Sequence, residues 1–227
     1  MRKLAMTVLI TLMMVLPIAS MGATIVHTDS VDGLTDLFAT LTVPQFDGTY
    51  PLNSITIEAN TWLDGAISFE NMNTAATGGF NVTGNWFDGW LVLGGELNPG
   101  NWEIIGGETL FEYHDEGDPS GAIWLETYDG VLDYAGPSGT VFPYGTSHDD
   151  WTMTITPDSP LFADFIGTGN VDFSCMTWIW TDMSIFGPVY SMEWNTTAGY
   201  GITVTYDFDS AVATEESSFG SVKALFR

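Results

Sequence analysis

Val171-Asp172-Phe173-Ser174-Cys175-Met176-Thr177-Trp178-Ile179-Trp180 is the stretch whose reading decides the fold. In an extended chain Val171, Phe173, Cys175, Thr177 and Ile179 fall on one side. Trp178 and Trp180 then point to the other side. A helix would scatter the same residues around its circumference. The period of two recurs outward from this stretch. Trp151, Met153 and Ile155 alternate with Thr152, Thr154 and Thr156, and Ile55 and Ile57 alternate with Thr56 and Glu58. Ile202, Val204, Tyr206 and Phe208 alternate with Thr203, Thr205 and Asp207. Further strands are expected over residues 37–43, 66–70, 80–85, 91–93, 109–113 and 122–127. Turn signals separate the runs: Asp32-Gly33, Asp47-Gly48, Asp64-Gly65, Asp88-Gly89 and Asp129-Gly130. Gly78-Gly79, Gly94-Gly95, Asn98-Pro99-Gly100 and Gly136-Pro137-Ser138-Gly139 punctuate further. Many short strands with regular turns predict an all-β fold, an antiparallel two-sheet β-sandwich of jelly-roll-like form. One domain is expected over residues 24–210.

The chain has 227 residues, with 29 acidic side chains against 4 Lys and Arg. Arg2 and Lys3 stand at one end, Lys223 and Arg227 at the other, and none lies between. Phosphate recognition needs Lys or Arg, so nucleic-acid binding is excluded, as are a P-loop and a basic patch for anionic lipid. Nine Trp, 14 Phe and 8 Tyr supply a core that a disordered acidic chain would lack. Cys175 is alone, so no intramolecular disulfide can form.

The two ends read as processing signals. Arg2 and Lys3, an apolar run over residues 4–18 and the small residues Ser20, Gly22 and Ala23 match a secretory signal, placed at 1–23. The run is short of the roughly 20 residues that span a bilayer, and no membrane span is expected in the mature chain. Removing the signal leaves two basic against 29 acidic side chains, a net of −27. In the tail, 211–227, Phe219, Val222 and Phe226 recur at helical spacing behind Ser217 and Ser218. A short C-terminal helix is expected there. It is either a docked terminus or a tag read by export or attachment machinery.

Carboxylates without bases invite cations. His114-Asp115-Glu116-Gly117-Asp118 is the densest cluster, and Asp115, Glu116 and Asp118 are the candidate Ca²⁺ ligands, expected in a loop. Asp207 with Asp209, and Asp149-Asp150, are lesser clusters. The competing reading of each is a solvated acidic surface. His27, His114 and His148 lack zinc-like spacing and read as surface residues. Trp178 and Trp180 are the candidate platform for a polysaccharide, since sugar faces stack on exposed aromatic rings. The competing reading is core or edge packing. Cys175 lies on the apolar face of its strand and reads as core. No nucleophile elbow is present, a qualifying carboxylate pair arises by chance among so many acids, and no enzyme activity or cofactor is expected. Asn81-Val82-Thr83 and Asn195-Thr196-Thr197 fit the N-glycosylation pattern.

Several segments occur in a familiar order. They are Leu41-Thr42-Val43-Pro44-Gln45-Phe46-Asp47, Ile67-Ser68-Phe69-Glu70-Asn71, and Tyr128-Asp129-Gly130 running to Gly136-Pro137-Ser138-Gly139. Phe165-Ile166-Gly167-Thr168-Gly169-Asn170-Val171 and Ile202-Thr203-Val204-Thr205-Tyr206 complete them. In this order the chain resembles the choice-of-anchor E domain of secreted bacterial proteins, over nearly the whole of 24–210. The resemblance implies an all-β domain at the cell surface or in the extracellular matrix, with no family catalytic residues to carry over. Such domains usually precede a sorting anchor, often of the PEP-CTERM type. No Val-Pro-Glu-Pro segment follows Phe208, and the tail stands in the anchor's place. The expected role is structural or adhesive, with a polysaccharide or surface-matrix partner. The alternative is a carbohydrate-binding module using exposed Trp.

Overall fold

The structure, a computed structural model, describes residues 21–101, 103–117 and 121–210. Residues 1–20 of the signal expected over 1–23, Asp118 of the acidic cluster and the helix expected in the tail lie outside the described residues.

Among the described residues eleven strands form: β1 (Met21–Leu34), β2 (Phe38–Pro44), β3 (Leu52–Asn71), β4 (Gly78–Leu93), β5 (Glu96–Asn98), β6 (Glu103–Ile105), β7 (Glu108–Gly117), β8 (Gly121–Leu125), β9 (Gly139–Ile155), β10 (Asn170–Phe186) and β11 (Tyr190–Ser210). A single 3-10 turn of helix, Pro160–Phe165, precedes β10, with the Ser159 hydroxyl accepting from the Leu161 N–H. Sheet A has the order β1-β11-β3-β9, and sheet B the order β2-β10-β4-β7, with β8 also pairing β4. Every main pairing is antiparallel. β7 and β8 pair successive stretches of the same strand, Asn85–Leu93 and Gly78–Val82, and act as one interrupted edge. With those two merged and the β5–β6 hairpin set aside, the orders become 1-8-3-6 and 2-7-4-5. That is the jelly-roll arrangement, and the expected antiparallel two-sheet sandwich is what forms.

The core lies between the sheets, where the alternation places it. Phe173, Cys175, Ile202, Val204, Tyr206, Ile55 and Ile57 are all buried. Each buried large side chain is worth about 1.5–3 kcal/mol relative to exposure. The two core tyrosines keep their polar ends satisfied, Tyr200 donating to the Met176 carbonyl at 3.2 Å and Tyr206 to the Pro44 carbonyl at 2.8 Å. A second cluster, Phe69, Phe80, Val82 and Leu125, fills the far end.

Three corrections follow. The runs at 80–85 and 91–93 are one strand, β4, and the run at 66–70 is the end of β3. Asp32-Gly33, Asp64-Gly65 and Asp88-Gly89 sit inside strands and not at turns. At Gly89 a Cβ would run into the Tyr200 hydroxyl, so glycine is there for space. Asp47-Gly48 and Asp129-Gly130 do turn, with φ of 75° and 101° at their glycines. Last, β1 was not expected as a strand. It is an edge, and its inward positions hold His27 and Asp29 beside Ala23, Ile25 and Val31, which erases the periodic signal. Asp29 has structural work: its carboxylate accepts the Thr42 N–H at 2.8 Å and joins the two sheets' edges.

Candidate functional site

The outward side of sheet B carries the candidate site. Along β10 the residues opposite the core face are Met176, Trp178, Trp180 and Asp182. The register sets Met176 beside Trp90 and Glu112, Trp178 beside Asp88 and His114, and Trp180 beside Trp86 and Glu116. Strand alternation thus gathers four tryptophans and several carboxylates on one surface. The β5–β6 hairpin folds over the upper end of this face, where the buried Ser174 hydroxyl donates to the Gly95 carbonyl.

Trp178 and Trp180, the expected platform, are exposed at 37% and 53%. Their ring centroids are 6.1 Å apart with the planes at 89°. The pair is therefore a corner rather than one flat surface, and each indole offers its own face. The Trp180 indole N–H donates to Asp182 at 3.0 Å, which fixes that ring. In the middle row the Nδ1 of His114 lies 2.5 Å from Asp88, and its Nε2 lies 3.8 Å from Glu116. The hydrogen bond to Asp88 holds the imidazole above its ordinary pKa of 6.5; desolvation, the next largest effect, opposes it, and charge attraction from Asp88 and Glu116 adds to the rise. Such a surface can stack a ring and accept hydrogen bonds from hydroxyls. Without any Lys or Arg it repels anionic ligands.

The acidic cluster is divided by the same alternation. Asp115 and Glu116 lie within β7 and not in a loop, so they point to opposite sides. Asp115 accepts from the Ser147 hydroxyl at 2.6 Å, across the sandwich edge, and this bond holds its carboxyl below the usual range. Tyr113 joins the same cluster through Ser147. Glu116 lies on the outward face beside His114. Asp149 and Asp150 also pair with opposite-facing positions, Thr61 and Asn60. Among the described residues no three His, Cys, Asp or Glu side chains come together as metal ligands. His114 and His148 are exposed, as expected, and His148 pairs with Asp150 at 3.0 Å. His27 is the exception, half-buried edge-on against Tyr206 at 6.0 Å. The Cys175 thiol is buried and pushed up to about 12 by desolvation, so it stays protonated and inert.

Two concave features accompany the face. A cleft of about 370 Å³ opens beside Trp180, where β2 and β1 have ended, and it is lined by Leu34, Asp36, Trp194 and Thr196. Asp36 accepts the Ile179 N–H there at 3.1 Å, while burial raises its carboxyl above the ordinary value. A polar groove of about 650 Å³ crosses the outer face of sheet A between Thr28, Glu58, Asn60, Asp150 and Thr203. Trp86, Asp88 and Trp90 belong to this face as well; their alternation is legible in the sequence, but Gly89 at an inward position makes the run look like a turn.

No protein-family model matches the sequence, and no curated protein does. Among solved structures, the chain is similar to a structure of infectious bursal disease virus Gx strain at 9% identity and a TM-score of 0.21, over 85% of this chain and 37% of that one. It is similar to the VP2 subviral particle of the same virus at 8% identity and a TM-score of 0.23, over 90% of this chain and 48% of that one. The chain thus spans less than half the length of either. Among the described residues no helix is long and apolar enough to cross a membrane.

Proposed function

We propose that the protein is an exported bacterial β-sandwich that acts by adhesion, as a structural component of the cell surface or extracellular matrix. The resemblance to choice-of-anchor E domains and the signal-like start support export. The observation that carries the adhesive reading is the outward face of sheet B, where exposed Trp178 and Trp180 stand beside Asp88, Asp182 and Glu116. Neighbouring exposed indoles flanked by acceptors form a surface that can stack on a partner and accept its hydrogen bonds. The reading is of binding without turnover. A second reading, a carbohydrate-binding module, is favoured by the same indole-and-carboxylate pattern.

The test is retention of the purified chain on host extracellular matrix and on a panel of neutral polysaccharides. Trp178→Ala and Trp180→Ala are each expected to weaken retention by about tenfold, the effect of truncating a contact worth about 1.4 kcal/mol. Retention by matrix alone supports the structural role, and retention by a defined glycan supports the module. Retention unchanged in both variants would remove this face from the function.

A further inference from the structure

Glu70 lies on the outer side of β3 and is fully buried. Neither of its carboxylate oxygens has a hydrogen-bond partner among the described residues. The register sets it between Gly139 of β9 and Ser191 of β11. Loop 126–138 closes over it. The Asn71 N–H donates to the Ser138 carbonyl at 2.8 Å and ties the loop to the end of β3, while the Glu126 N–H donates to the Pro137 carbonyl at 2.8 Å and closes the loop on itself. Tyr134, held at a φ of 55°, reaches over so that its hydroxyl lies 3.1 Å from the Ser191 hydroxyl. Gly139 leaves room for this arrangement, since a Cβ there would collide with Glu70 Oε2 and with the Tyr134–Ala135 backbone.

An ionised carboxylate buried without a partner is strongly unfavourable. The usual remedy is Lys or Arg, and this chain has neither between residues 4 and 222. His114 and His148 are engaged by Asp88 and Asp150, and His27 stands against Tyr206. A bound cation supplies both the missing positive charge and the missing partner for the two oxygens.

We propose that Glu70 anchors a buried cation site of the Ca²⁺ type, closed by loop 126–138. The Ser191 pairing and the Tyr134–Ser191 contact bring two hydroxyl oxygens to the same side of the sheet as the Glu70 carboxylate, oxygen donors of the kind a hard cation takes. A single carboxylate makes the site weak, in the range of about 10⁻⁴–10⁻³ M found for extracellular modules. The site is separate from the Asp115 and Glu116 carboxylates, which lie on β7 in the other sheet.

Thermal unfolding of the purified chain in Ca²⁺ against chelator, at fixed ionic strength, tests the site. Saturating Ca²⁺ is expected to raise the melting midpoint by roughly 5–10 °C. Glu70→Gln is expected to abolish that rise, while Glu116→Gln keeps it. Tb³⁺ as a probe is expected to show luminescence sensitised by Tyr134 that Glu70→Gln removes. An equal Ca²⁺ response in Glu70→Gln, or no response in the unsubstituted chain, overturns the proposal. Should Glu70→Gln fail to fold, Tyr134→Phe serves instead: an unchanged Ca²⁺ dependence and unchanged Tb³⁺ signal there overturn it, and a weakened dependence supports it.

Discussion

Asp88 and His114 show what one residue's placement decides. The sequence reads His114 as a member of an acidic loop. Strand β7 turns it outward onto Asp88 instead, and the hydrogen bond to that carboxylate raises its pKa. The sign follows directly. A histidine whose folded pKa is raised adds stability that is fully present below its unfolded value of 6.5 and is lost as pH climbs through the folded value. The ring is exposed, so the effect is best seen in the titration itself. NMR titration is expected to give His114 a midpoint above the ordinary value of 6.5, and Asp88→Asn is expected to lower it towards that value. A His114 midpoint indifferent to Asp88→Asn would break the argument. Trp178 and Trp180 belong to the same scale. Their outward direction was legible from alternation, but the 89° angle between their rings was not.

At the scale of the element, β4 is the informative strand. Its sixteen residues run through Gly84 and through Gly89, which a local reading takes as an interruption. The strand continues because β10 pairs along nearly all of it and because Tyr200, from the opposite sheet, needs the space at Gly89. Gly89→Ala is expected to destabilise the fold by about 1–3 kcal/mol, the usual cost of overpacking a filled core. Urea unfolding measures this, and the double variant Gly89→Ala with Tyr200→Phe is expected to recover part of the loss. No recovery would show that the cost lies in the strand backbone. β1 makes the opposite point. Its inward positions are partly polar because an edge strand is only half covered, so the periodicity that reveals β10 is missing where Asp29 does structural work.

At the scale of the whole molecule, charge is the governing quantity. A domain with no Lys or Arg cannot offset its carboxylates internally, and among the described residues the ion pairs are all made by histidines. Self-repulsion then opposes the compact state. Raising NaCl from about 10 mM to about 150 mM shortens the screening length from about 30 Å to about 8 Å. The melting midpoint is expected to rise by roughly 2–4 °C for each kcal/mol of repulsion removed. A midpoint that falls or stays level over this range would show that the carboxylates lie too far apart to matter.

The sequence by itself determined the class of fold, the lack of Lys and Arg over residues 4–222 and the inward set of the central strands. Those follow from alternation and composition, which are local and additive. It did not determine which strands pair, which glycines are turns, or which carboxylates share a face. Asp115 and Glu116 are neighbours in the chain and stand on opposite sides of β7, while Asp88, His114 and Trp178 are far apart in the chain and form one row. Glu70 looked like any other acid at a strand end. Only the closure of loop 126–138 over it made it a buried carboxylate without a partner. Burial and juxtaposition depend on contacts distant in sequence, and those exist only once both sheets have packed.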